Sequence, residues 1–187
     1  MNAIAAVPVA VAAPSSREKG IRIFVIFGRL VLAGIFLFAS YSKMKPQIPV
    51  PWSPNSIETS LSMFAMQVDS YQMLPPSQVL RVAHFLPPFE LFLGLWLLSG
   101  IAPRASTTVT LLVLTGFFAL MIRTYALGLS INCGCFGTAE QVGPRKVFED
   151  GSFFTFALLV TVGSYWLHRA RSRRLTTAAT PAAQPAS

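Results

Sequence analysis

Charged residues are scarce in this chain of 187 residues, and cysteine and histidine are scarcer still, with two of each. Asp, Glu, Lys and Arg make up 12% of the sequence, whereas hydrophobic residues make up 53%. A globular body of this size has too little interior to hide that much apolar surface. The composition therefore excludes an ordinary soluble domain, a chain disordered throughout and a scaffold held by several disulfides. It predicts a membrane protein.

The few charges are unevenly distributed, and the net charge is +8. Basic residues cluster before the first long apolar run and after the last one: Arg17, Lys19, Arg22, Arg169, Arg171, Arg173 and Arg174. Such flanking positions are typical of membrane spans. Base-stacking and phosphate-binding motifs are missing, so the sequence predicts the lipid bilayer as a partner and excludes nucleic acid.

Four apolar runs predict an all-α membrane protein with a four-transmembrane-helix bundle. They cover residues 21–40, 84–100, 105–128 and 151–168. Each approaches the about 20 residues that a helix needs to cross the bilayer, and none alternates as a barrel strand would. We expect one membrane domain at residues 21–168, between a disordered leader at 1–20 and a tail at 169–187 that is first basic and then disordered.

The polar insert at residues 41–83 separates the first two runs. Apolar residues spaced by three and four between residues 56 and 74 predict an amphipathic helix, which Pro75 and Pro76 end. We expect it at the membrane interface as a lid. An ordinary surface loop is the alternative.

Counts of Lys and Arg predict the orientation. With both termini cytoplasmic, eight basic residues lie inside and five outside. This topology places the insert and residues 129–150 outside, in the periplasm or its equivalent.

Cys133 and Cys135 are the only cysteines, and they follow the third run in an Asn-Cys-Gly-Cys-Phe-Gly motif. A disulfide between them closes a small ring, and strained, exposed disulfides exchange readily. In an oxidising periplasm they form a candidate catalytic thiol–disulfide pair. The alternatives are a static disulfide, inert buried thiols or a metal site. Zinc is disfavoured because it needs four ligands, and the only histidines are His84 and His168, the latter predicted on the opposite side.

Arg29, Glu90 and Arg123 fall inside apolar runs, where a charge is costly unless it is paired. Glu90 and Arg123 lie at similar depths below the outer helix ends, so we predict an ion pair between them. Arg29 is a second partner or a ligand contact. The cluster either holds three helices together or forms a polar pocket for a partner or a quinone head group. No motif specifies a cofactor or a metal, so the quinone is the one candidate cofactor.

Three groups of motifs resemble the DoxX-like membrane proteins and, among them, the MauE branch. Phe-Gly-Arg at residues 27–29 and Ser-Tyr-Ser-Lys at 40–43 resemble that group's opening helix. The segments Tyr-Gln-Met-Leu-Pro at 71–75 and Leu-Pro-Pro-Phe-Glu-Leu-Phe-Leu-Gly at 86–94 are similar to its second-helix signature. Cys-Gly-Cys-Phe-Gly at 133–137 resembles the cysteine motif of MauE, the methylamine utilisation protein. The likeness covers roughly residues 20–166.

The resemblance implies an inner-membrane protein linked to redox maturation. MauE-like proteins are associated with making methylamine dehydrogenase, whose small subunit carries many periplasmic disulfides, and they work beside a thioredoxin-like partner. By this resemblance, Cys133 and Cys135 would exchange disulfides with a periplasmic thioredoxin-like protein and support a secreted redox enzyme as client. Two interpretations remain open beside it: a quinone-coupled oxidoreductase subunit similar to the DoxD branch, and an assembly scaffold without electron transfer.

Overall fold

The computed structural model describes residues 15–46, 51, 53–129, 131 and 143–179, and all of its regular elements there are helices. They are α1 (Ser16–Met44), α2 (Pro54–Ser70), α3 (Pro76–Ser99), α4 (Pro103–Ala126) and α5 (Pro144–Ala179). α1, α3, α4 and α5 are long and apolar enough to cross a membrane. The predicted all-α fold with four spans is therefore confirmed. Cys133 and Cys135 lie outside the described residues.

The helices are longer than the apolar runs, because local signals place their ends. The Ser15 hydroxyl oxygen accepts a hydrogen bond from the Glu18 backbone N–H at 3.3 Å and caps α1. The other four helices begin with proline, which lacks only an N–H that the first helical turn leaves unbonded. As a result, residues 16–20 and 169–179, which we assigned to the leader and the tail, are helical.

α1 is the central element of the bundle. It packs against α3 and α5, and α4 packs against α5. The core is apolar, with Leu32, Ala33, Phe36, Leu93, Leu97, Ala157 and Val160 at its centre. Although a short turn joins them, α3 and α4 contact each other much less than α1 and α3 do. Many large apolar side chains on the outer faces of the four long helices are exposed, as contact with lipid requires.

One end of the bundle, which we call the closed end, comprises the start of α1, the α3–α4 turn and the second half of α5. Gly100 (φ 73°) and Ala102 (φ 47°) make the turn in left-handed conformations. The Trp96 indole N–H donates to the Ile101 carbonyl oxygen at 3.0 Å. Between helices, the Thr161 hydroxyl donates to the Thr107 carbonyl oxygen at 3.1 Å. The first bond fixes the α3–α4 turn, and the second ties α4 to α5.

Two glycines allow α1 and α5 to approach closely near the closed end. A Cβ atom at Gly28 would lie 2.3 Å from Cγ2 of Val160, and one at Gly163 would lie 2.7 Å from Cγ2 of Val25. Both distances are too short for any side chain. The absence of a side chain at these positions therefore sets the α1–α5 spacing.

α2 lies at the opposite end, which we call the cavity end, with the end of α1, the start of α3, the end of α4 and the start of α5. Ser53 and Ser56 form a capping box at its start. Its apolar face, with Phe64 and Ala65, packs on Val79 and Ala83 of α3. The predicted amphipathic helix is confirmed and the alternative of an ordinary surface loop is wrong, but the helix ends at Ser70 and not at Pro75.

Candidate functional site

A buried ion pair joins α1 to α3 at the cavity end. The Lys43 ammonium lies 2.7 Å from each oxygen of the Glu90 carboxylate. Lys43 is 6% exposed and Glu90 is 2% exposed. The predicted ion pair between Glu90 and Arg123 is therefore wrong. Glu90 pairs instead with Lys43, which belongs to the insert at residues 41–83 whose charges were counted on the outer side.

The helical register of α1 explains why Lys43 lies inside the protein. α1 continues to Met44, because nothing between residues 40 and 44 breaks a helix. Lys43 follows Leu32, Phe36 and Ala39 at intervals of four, three and four residues, so it extends the buried stripe of α1. This spacing is the signal in the sequence that identifies Lys43 as an interior residue.

Neighbouring groups hold the pair in position. The Phe64 ring of α2 covers Lys43, with the ring centroid 5.4 Å from Nζ, which is a cation–π contact. One turn before Lys43, the Ser40 hydroxyl donates to the Pro87 carbonyl oxygen at 2.7 Å. α3 continues through Pro87 and Pro88 although neither supplies an N–H to the helix. The pair is thus fixed by α1, α2 and α3 together.

Beside the pair lies a cavity of about 350 Å³. Its walls are predominantly apolar, and all five helices contribute to them. Five of the lining residues are phenylalanines: Phe36, Phe64, Phe117, Phe118 and Phe153. The ionisable groups on its wall include Lys43, Glu90 and Asp150. The arrangement can bind an apolar, flat molecule with a polar group directed at the ion pair.

α3 and α4 make few contacts with each other, and both line the cavity. α2 and the residues after it, including Tyr71 and Leu74, line it as well. Met121 lies five residues before the end of α4, and Asp150 lies six residues after the start of α5. The cavity is therefore close to the two helix ends that the cysteine-bearing segment connects.

Arg29 lies at the closed end and not in this cluster. Its guanidinium donates a hydrogen bond to the Leu97 carbonyl oxygen in the last turn of α3. Gly100, which ends α3, lies beside the same guanidinium. A cation at this place satisfies a carbonyl that the helix leaves unbonded and complements the helix dipole. The expectation that Arg29 is a second partner of Glu90 is therefore wrong.

Arg123 lies in the last turn of α4 and is exposed. Its guanidinium Nη1 donates to the Tyr71 carbonyl oxygen at 3.5 Å, a long bond that ties α4 to the residues after α2. Of the three buried charges that we predicted to meet, only Glu90 is at the cavity. Lys43 and Asp150 were not among the predicted site residues, because the first apolar run ends at residue 40 and the fourth begins at residue 151.

Fold and site together define a class: a multi-pass membrane protein with a buried ion pair beside an apolar cavity. The family model described as methylamine utilisation protein MauE matches residues 21–167, which is most of the chain. The chain therefore belongs to the MauE family, and the resemblance of its motifs is confirmed. No curated protein matches the chain, and no solved structure matches it.

Proposed function

We propose that this protein exchanges disulfides through Cys133 and Cys135 and thereby supports the maturation of a secreted redox enzyme of methylamine utilisation. Membership of the MauE family makes it a membrane protein associated with methylamine utilisation. The observation that carries the finer proposal is one of connectivity. The segment with both cysteines connects the end of α4 to the start of α5 in the sequence, and both of these helix ends lie at the end of the bundle that holds the buried ion pair and the cavity.

The exchange conserves electrons between two partners. A thiolate of the reduced partner attacks the Cys133–Cys135 disulfide and forms a mixed disulfide, and the partner's second thiolate then releases it. The partner is oxidised to a disulfide, and the two cysteines of this chain take up its two electrons and two protons. A periplasmic thioredoxin-like protein is the proposed partner, and it would pass the oxidation to the secreted client.

The proposal requires the cysteine-bearing segment to face the periplasm and both termini to face the cytoplasm. The structure leaves the balance of basic residues unchanged, because Lys43 lies buried between the helices whereas Arg123 lies exposed in the last turn of α4 on the proposed outer side. Eight basic residues on the proposed inner side therefore stand against five on the outer side. Alkaline phosphatase fused after Gly137 should be active and the same enzyme fused after Arg174 inactive, whereas reversed activities would contradict the proposal.

The mechanism is tested by trapping its covalent intermediate. In Cys133→Ser or Cys135→Ser, the one remaining thiolate can attack the disulfide of the oxidised partner, which is the reverse of this exchange, and the second thiol of this chain that would complete that reaction is missing. An adduct with the partner should therefore be detected on a non-reducing gel and disappear with a reducing agent. The variant with both substitutions is the matched control and should form no adduct. Absence of an adduct from both single variants, with the client's disulfides intact, would contradict thiol exchange and favour a bracing disulfide or a scaffold.

A further inference from the structure

We propose that the cavity beside Lys43 and Glu90 binds a lipid-soluble quinone, with a ring carbonyl oxygen accepting a hydrogen bond from the Lys43 ammonium. The binding site consists only of described residues of the helices. The redox role of this site rests on the proposed function, but binding of the quinone does not depend on the cysteines.

Charge balance at the pair disfavours an anionic ligand. The Lys43 ammonium lies 2.7 Å from the Glu90 carboxylate, so its charge is already compensated. An anion entering the cavity would be desolvated beside the Glu90 carboxylate, which is unfavourable in such an apolar site. Fatty acids and phosphate esters are therefore poor occupants.

The hydrogen-bonding capacity of Lys43 selects a carbonyl group. An ammonium has three N–H bonds, and the two Glu90 oxygens use two of them. The ammonium is a donor only, so its remaining bond suits an acceptor such as a quinone carbonyl. A hydrocarbon chain would leave it unused. The neighbouring Phe64 ring, with its centroid 5.4 Å from Nζ, is a weaker partner than a carbonyl oxygen.

Cavity size and wall chemistry suit a substituted ring. About 350 Å³ lies at the lower end of the range of about 300–1,000 Å³ for small-molecule sites. Phe64, Phe117, Phe118 and Phe153 on the walls offer faces and edges against which a flat ring can pack. A site of this volume takes the ring and the first part of its tail, so the rest of a long tail must lie outside.

The route for that tail lies between α3 and α4. These helices make few contacts with each other, and the cavity is lined on α3 by Val82 and Leu86 and on α4 by Leu114 and Leu120. Glu90 is fourteen residues along α3, well inside a membrane span. A ligand that reaches this depth from the side must be soluble in the hydrocarbon core. Quinones meet that requirement.

Under the proposed function, the quinone is the oxidant that regenerates the Cys133–Cys135 disulfide. The two thiols lose two electrons and two protons and form the S–S bond. The quinone takes up both electrons and both protons and leaves as the quinol. Atoms and electrons balance without a further reagent.

Binding is tested with the full chain, purified and reconstituted without quinone in phosphatidylcholine nanodiscs. Decylubiquinone is the probe, and decylbenzene, with a ring and the same tail but without carbonyl groups, is the matched ligand control. A ligand that binds only the folded state raises the thermal unfolding midpoint with its concentration, which gives a Kd. We expect saturable stabilisation by decylubiquinone and little by decylbenzene.

Two sets of variants locate the site. Lys43→Met combined with Glu90→Met removes the donor without leaving an unpaired charge, and should raise the Kd of decylubiquinone at least about tenfold. Leu114→Trp fills the cavity and should abolish binding while leaving the pair intact. Leu112→Trp, on the lipid-facing side of the same helix where Leu112 is 66% exposed, is the control and should bind as the unchanged chain does.

Equal stabilisation by both ligands would overturn the proposal and indicate a site for acyl chains. No saturable stabilisation by decylubiquinone, or unchanged binding in Leu114→Trp, would overturn it as well. The Cys133→Ser, Cys135→Ser double variant should keep the Kd of the unchanged chain. If decylubiquinone binds but neither single cysteine variant forms a mixed disulfide, the proposed exchange alone is contradicted. If the single cysteine variants form the adduct but decylubiquinone does not bind, the quinone site alone is contradicted.

Discussion

The closed end and the cavity end of the bundle each contain a cation inside a helix pair, part-buried Arg29 at the first and buried Lys43 at the second, and the two cations bond different groups. At the closed end, Arg29 bonds a backbone carbonyl oxygen of α3, and the helices around it are in direct contact. At the cavity end, Lys43 bonds a carboxylate, and a cavity of about 350 Å³ lies beside it. Arg29 bonds a carbonyl oxygen at the end of a helix, whereas Lys43 belongs to a buried ion pair with a cavity next to it.

This difference separates architecture from function. A buried ion pair is a weak source of stability, because desolvation offsets much of the attraction between its partners. An apolar pair of similar size could hold α1 and α3 together equally well. Ionisable residues kept inside a membrane protein are therefore typical of functional sites. Packing at the closed end fixes the helices, and the cavity end is where we place the chemistry.

The largest effect expected from a single substitution is at the pair. Glu90→Gln leaves the Lys43 ammonium buried without a counter-charge, so we expect a loss of about 3–5 kcal/mol in the free energy of unfolding. Reversible unfolding in mixed detergent micelles measures this change. Lys43→Met with Glu90→Met should recover most of the loss, because no buried charge remains. A double variant as unstable as Glu90→Gln would contradict the pairing.

A smaller loss is expected at the glycine contact near the closed end. Gly28→Ala introduces a Cβ atom 2.3 Å from Cγ2 of Val160, a stiff β-branched side chain. Forcing the helices apart should lower the free energy of unfolding by about 1–3 kcal/mol. Gly34→Ala on the same helix meets nothing within 4 Å and is the matched control, expected to cost nothing. Equal effects of the two substitutions would show that close packing does not define this end.

The fold was predictable from the sequence because its signals are local. The apolar runs predicted the four spans, and apolar residues spaced by three and four predicted α2. The partner of Glu90 was not predictable from run lengths. The apolar run begins at residue 84, but α3 begins at Pro76, so Glu90 lies fourteen residues along the helix, whereas Arg123 lies in the last turn of α4. Depth counted from the end of an apolar run fails where a helix continues into polar sequence.

A single sequence does not show how the residues of one helix align with those of a neighbouring helix. The spacing of Leu32, Phe36, Ala39 and Lys43 shows that Lys43 shares the buried face of α1. It does not show which residue of which helix lies opposite. The close approach of α1 to α3 at Gly94 fits the observed register, since a Cβ there would lie 2.8 Å from Cγ of Leu37. The antiparallel register then brings Lys43 level with Glu90 and Arg29 level with the end of α3.

The smallest effect, and the sharpest contrast between two cations, is expected for the arginines. Arg123→Gln removes an exposed guanidinium whose bond to the Tyr71 carbonyl oxygen is long, at 3.5 Å. It should change the free energy of unfolding by no more than about 0.5 kcal/mol. Arg29→Gln removes a part-buried cation from the end of α3 and should cost about 1–2 kcal/mol. Both are measured by the same unfolding assay in micelles. If Arg123→Gln cost as much as Glu90→Gln, Arg123 would after all be the counter-charge of the buried carboxylate, and the assignment of Lys43 would be wrong.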